Sequence, residues 1–88
     1  MPKFNLGRIV ATPSTLAVVS NPEILVSLAL HHAGEWGELD PEDHAANESA
    51  LEHGGRLFSA YRTAAGVKFW IITECDRSAT TILLPSDY

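Results

Sequence analysis

The sequence predicts an α+β fold: a short first strand, two to three helices, then a three-stranded antiparallel meander. The order is β-α-α-α-β-β-β with the short first helix counted, and the helices lie on one sheet face. Three observations predict it. A capping residue followed by proline recurs at Thr12-Pro13, Asn21-Pro22 and Asp40-Pro41. The pair Gly54-Gly55 closes the last of these segments, and from Arg56 onward the residues alternate between the two faces of a strand.

The residues Gly7 to Thr12 form a short first strand, whose place beside the last or the middle strand of the meander is left open by the sequence. Thr12-Pro13 starts a helix to about Val19, because proline presets φ at the first helical position and has no N–H to leave unsatisfied. Asn21-Pro22 starts a second, running from Pro22 to about Ala33, with Ile24, Leu25, Leu28 and Ala29 on one stripe and Gly34 ending it. Asp40-Pro41 starts a third, through about His53, with Glu42 and Asp43 well placed at its positive N-terminus.

Beyond Gly55 the period changes from helix to strand. Leu57, Ser59 and Tyr61 alternate with Arg56, Phe58, Ala60 and Arg62, and Ala64-Ala65-Gly66 supplies a turn. Phe69 to Thr73 and Thr80 to Leu84 are rich in β-branched and aromatic residues. The polar Glu74-Cys75-Asp76-Arg77-Ser78 joins them as a tight hairpin connection.

The 88 residues make a single domain, 1–88, with a small core, so stability is marginal unless the chain pairs, and a homodimer is a live expectation. An apolar content of 45% and a charged content of 19% place the chain among folded globular proteins. One cysteine, Cys75, allows no internal disulfide, and Met1-Pro2-Lys3-Phe4 leads into neither an export signal nor a membrane span. The expected address is a bacterial-type cytoplasm.

Net charge is -5 and unevenly laid out. No Lys or Arg occurs between Arg8 and Arg56, an interval that holds Glu23, Glu35, Glu38, Asp40, Glu42, Asp43, Glu48 and Glu52. An acidic middle repels phosphate, which argues against direct binding of duplex nucleic acid through it. It is either a solvated helix face or a partner-binding face, the latter made of Glu35, Trp36, Glu38, Asp40, Glu42, Asp43, Glu48 and Glu52.

Catalytic motifs are missing. There is no GxSxG elbow, phosphate-cradling loop or dinucleotide fingerprint, and Ser78, Thr80 and Thr81 have no evident base. Glu74 and Asp76 flank Cys75 and disfavour its thiolate. His32, Asp40, Asp43 and His44 contain a four-residue helical spacing, yet lack the cysteines or paired histidines of a metal helix, so neither a metal nor a cofactor is expected. At the corner after the second helix, His32 and Trp36 are expected to pack and hydrogen-bond. Arg62, Glu74, Asp76 and Arg77 form a secondary polar patch. It is either a sheet clasp in which the carboxylates pair with Arg77 or Arg62, or the site of a small ligand-binding or hydrolytic domain.

The strings HHAGEWGEL, GRLFSAYRT, Trp70-Ile71-Ile72-Thr73-Glu74, DRSATTILLP and Asp87-Tyr88 resemble a family of small bacterial proteins, about 90 residues long, carried on plasmids, prophages and other mobile elements. Members are labelled "plasmid-related protein", or as the modification subunit of a type I restriction enzyme. The second label does not suit this chain, which lacks a methyl-donor-binding domain and an NPPY-like motif. The resemblance implies genomic company with mobile DNA and carries over no catalytic residue. Together with the acidic middle, it raises the expectation of a non-enzymatic accessory protein. Such a protein binds a host or defence-system complex, as an anti-CRISPR or anti-restriction inhibitor does.

Overall fold

The computed structural model describes residues 3–88, so Met1 and Pro2, part of the stretch in which no export signal is expected, lie outside the described residues. Its elements are β1 (Arg8–Ala11), α1 (Pro13–Val18), α2 (Asn21–His32), α3 (Pro41–His53), β2 (Leu57–Arg62), β3 (Lys68–Thr73) and β4 (Ala79–Leu83), followed by a 3-10 turn at Pro85–Asp87. The four strands form one sheet in the order β1-β4-β3-β2. β2, β3 and β4 make the antiparallel meander, and β1 joins β4 in parallel, Ile9 opposite Thr80. The first strand therefore sits beside the last. A parallel neighbour needs a long crossover, which here is the whole helical segment with β2 and β3.

Each helix starts on a side-chain oxygen that satisfies an orphan N–H. Thr12 accepts from Thr15 N and Asp40 from Asp43 N, but α2 is capped by Ser20, one residue before the expected Asn21. The reason is Glu23. Ser20 Oγ accepts from Glu23 N, and the Glu23 carboxylate accepts from Ser20 N, a reciprocal box that Asn21 has no partner to build.

The buried stripe of α2 also differs from expectation. Ile24, Ser27, Leu28 and His31 face inward, while Leu25 is 66% exposed and Ala29 lies on the same outer arc. At 100° per residue the helix is apolar nearly all round, so hydrophobicity alone does not pick the inner face. Ile24 and Leu28 pack with Val19, Tyr61, Phe69, Ile71 and Ile82 in the larger core cluster. Trp36, Ala50 and Leu57 centre a smaller one under α3, with Phe4, Leu39 and Leu51 against it. Leu57 and Tyr61 alternate on the same side of β2, so the helices cover a single sheet face.

The outer edge of β2 is closed by the chain that leads into α3. Ala60 N donates to Trp36 O at 3.1 Å and Glu38 N donates to Ala60 O at 2.7 Å. Gly37 lies so close that a Cβ there would sit 2.1 Å from Ala60 O, which only glycine avoids. Further along the edge, Asn47 of α3 imitates a neighbouring strand, its Nδ2 donating to Phe58 O at 2.6 Å and its Oδ1 accepting from Phe58 N at 2.9 Å. An edge sealed in this way offers no template for another strand.

Candidate functional site

The helices leave the second face of the sheet partly open. On it Phe58 of β2 and Trp70 and Ile72 of β3 line a hollow of about 230 Å³, whose other walls are Arg56 and Tyr88. Phe58 meets Trp70 edge to face with centroids 5.2 Å apart, and Trp70 meets Tyr88 at 5.8 Å. Arg56 donates from Nη1 to the Tyr88 hydroxyl at 2.7 Å and lies 5.5 Å from that ring's centroid. These contacts raise the Arg56 pKa, the Tyr88 hydrogen bond foremost. The turn before Tyr88 is held in place by Asp87. Its carboxylate accepts from Ser14 Oγ at 2.6 Å, Thr12 Oγ1 at 2.7 Å and Leu84 N at 3.0 Å, and these bonds keep its pKa below the usual range.

Phe58 and Trp70 also line a neighbouring hollow of about 340 Å³, walled by Glu38, Leu39, Asp40, Asp43, Ala60 and Lys68. The two hollows are thus contiguous. An aromatic floor passes directly into a carboxylate rim supplied by the start of α3.

That rim is only part of the acidic face expected from the sequence. Trp36 is buried, donating from Nε1 to Glu48 Oε2 at 2.9 Å, so it is a core residue and presents nothing to a partner. Glu48 is occupied by that bond, and Asp40 by the cap of α3. Glu38 accepts from Arg62 Nη2 at 3.0 Å, which lowers the Glu38 pKa. Glu35, Glu42 and Asp43 are exposed and make no ion pair among the described residues, while Glu52 approaches only His53, at 3.9 Å.

The secondary patch does not assemble. Arg62 pairs with Lys68 in register while Glu74 lies past the other end of the sheet, one residue beyond the Leu57–Thr73 pair, so they stand roughly 20 Å apart along the strands. The clasp is real but differently bonded. Arg77 donates to main-chain carbonyls, Gly55 O at 2.5 Å, Glu74 O at 3.1 Å and Ala50 O at 3.0 Å, so its charge sits at the negative C-terminus of α3 rather than on a carboxylate. Asp76 accepts from Ser78 N at 3.0 Å, with its pKa lowered by Ser78, and Glu74 lies 3.9 Å from Arg56. Thr73 and Thr80 do tie the strand ends together, at 2.7 Å.

No family model, curated protein or solved structure matches this chain.

The metal-type residues are dispersed. His32 Nε2 donates to Phe4 O at 2.8 Å and its ring packs edge-on to Phe4, the corner role expected of it. Among the described residues, His, Cys, Asp and Glu form no group of three or more placed to hold a metal ion.

A hydroxyl–imidazole arrangement that no local sequence pattern signals lies in the core, and it is sealed. His31 is fully buried, Nδ1 at 2.5 Å from Ser59 Oγ and Nε2 at 2.9 Å from Thr73 Oγ1. The proton order follows from the far end. Thr80 Oγ1 donates to Leu6 O at 2.6 Å, so it must accept from Thr73, which in turn accepts from His31 Nε2–H. Ser59 then donates to Nδ1. Burial holds His31 neutral, its pKa pushed down to about 4. Ser59 is as buried as His31, so its hydroxyl has no path to a substrate and the chain of hydroxyls acts as a polar core bolt.

Proposed function

We propose that this chain is a non-enzymatic protein-binding module. Its recognition surface runs from the aromatic hollow of the open sheet face onto the exposed carboxylates at the start of α3. The partner it suits presents an apolar or aromatic side chain flanked by Lys or Arg. The side chain fills the hollow between Phe58, Trp70 and Tyr88, and the bases meet Asp43 on the wall of the second hollow and its exposed neighbour Glu42.

The observation that carries this reading is that Phe58 and Trp70 line both hollows, so that the aromatic hollow and the one walled by Glu38, Asp40 and Asp43 adjoin. Buried aromatic and arginine anchors with a polar rim are the composition of an interface centre. Basic surfaces belong to proteins that handle nucleic acid. With the mobile-element resemblance, that points to a host or defence-system complex, with the chain acting as an accessory or inhibitory protein. The acidic contribution is smaller than the sequence suggests, since Glu38, Asp40 and Glu48 are engaged internally. The alternative, a ligand or hydrolytic site around Arg62, Glu74, Asp76 and Arg77, has no convergent geometry to support it.

Affinity capture from the native host tests the reading when run with three baits: wild type, Phe58→Ala/Trp70→Ala, and Glu42→Lys/Asp43→Lys. The expected result is a nucleic-acid-handling complex retained by the wild type and lost from both variants. Equal retention by all three baits would overturn it.

A further inference from the structure

Among the described residues, eight large hydrophobic side chains are exposed, and seven of them lie between Ile9 and Leu30, in β1, α1 and α2. Residues 9–34 carry a single formally charged side chain, Glu23. An interval of that length in an average soluble protein carries roughly six. Even Glu23 is turned back on the fold, accepting from Ala64 N at 2.9 Å and closing the box at Ser20.

The centre of this surface is the outer arc of α2. Helical geometry sets Leu25, Val26, Ala29 and Leu30 opposite the buried Ile24, Ser27, Leu28 and His31, and Leu25 and Val26 are 66% and 62% exposed. A helix apolar on both sides is one that is covered on both sides.

We infer that a second copy of this chain covers that arc, the two α2 helices packing across a two-fold axis with β1 and α1 at the flanks. Area supports it. Val10, in register with Thr81, points to the other sheet face; the remaining six side chains expose on the order of 550 Å², near the upper end of what a monomer's largest apolar patch reaches. Two facing copies remove at most roughly 1,100 Å² from side chains, just above the ~1,000 Å² that a biological interface needs. Self-complementarity supports it too, because an uncharged arc meets its own copy with no like charges opposed, and Ala29 between Leu25 and Leu30 allows close approach of the two backbones. The charge pattern disfavours a lipid surface. Helices that lie on membranes flank their apolar face with Lys and Arg, and none occurs between Arg8 and Arg56.

Because α2 packs on the face opposite the aromatic hollow, such a dimer leaves both hollows open and makes the protein bivalent. The dimer is independent of what those hollows bind.

Sedimentation equilibrium of the full chain, from micromolar to submillimolar concentration, tests the inference. The wild type is expected at twice the 9.5 kDa of one chain. Leu25→Glu/Val26→Glu, which changes only exposed positions, is expected at one chain mass with unchanged far-UV circular dichroism. Leu25→Ala/Val26→Ala guards against misfolding of the first variant and is expected to weaken dimerisation at least tenfold. A wild type that stays at one chain mass throughout, or a dimer that both variants leave intact, would overturn it.

Discussion

His31 Nε2 lies 2.9 Å from Thr73 Oγ1, and this contact joins the last turn of α2 to the central strand of the meander. It is one link in a relay from Ser59 through His31, Thr73 and Thr80 to the carbonyl of Leu6, which ties three strands, a helix and the N-terminal segment together. Each member is satisfied, and a satisfied buried network specifies one arrangement of the core.

Acid should open this network. The folded-state pKa of His31 is about 4 against an ordinary value of 6.5, so protonation favours the unfolded chain. The stability His31 contributes is fully present above pH 6.5 and is lost progressively as pH falls toward 4, about 3 kcal/mol in all. Urea unfolding at pH 7.0 and at pH 4.0 measures the loss. In His31→Gln the part of the pH dependence between these values should flatten.

Asn47 is expected to be the costliest polar side chain of α3 to remove. Asn47→Ala leaves the half-buried N–H and C=O of Phe58 without protein partners and should destabilise the fold by about 2 kcal/mol. Arg62→Ala, which breaks an exposed ion pair with Glu38, should change stability by less than about 1 kcal/mol. Denaturant midpoints of the two variants, compared with wild type, test both values together.

Gly37→Ala should be disruptive through the backbone. At φ of 79° and with Ala60 O in the way, the added methyl must push the 36–38 segment off β2. Hydrogen exchange reads this as lost protection at Ala60 N, which donates to Trp36 O, and at Glu38 N. Protection equal to wild type at both amides would show that the contact is not needed to hold the edge.

Arg77→Met should loosen the β3–β4 turn from the end of α3, because four carbonyls, those of Ala50, Gly55, Glu74 and Cys75, lose a shared donor. The expected sign is earlier proteolytic cleavage between Glu74 and Ser78 with the circular dichroism of the sheet retained. A cleavage rate like that of wild type would contradict the clasp.

The elements are legible in the sequence because their signals are local. Thr12, Ser20 and Asp40 stand three residues before the N–H groups they satisfy, and Pro13, Pro22 and Pro41 mark the first turns. The site is not legible, because its contacts are long-range. Asn47 meets Phe58, His31 meets Thr73, and Arg56 meets Tyr88 across 32 residues. Trp36 stands in an acidic stretch that reads as surface, although its indole packs beneath α3 against Phe4. One signal does point to the open face. Phe58, Trp70 and Ile72 are large and apolar on the side of the strands opposite Leu57 and Ile71, more apolar surface than one helical layer can cover.

An aromatic hollow that anchors a protein partner should be read out by calorimetric titration of the captured partner into wild type and Trp70→Ala. A Trp70 at the centre of the interface predicts affinity at least ~30-fold weaker in the variant, with its fold intact by circular dichroism. Affinities equal within about twofold, well below one tenfold step, would contradict it.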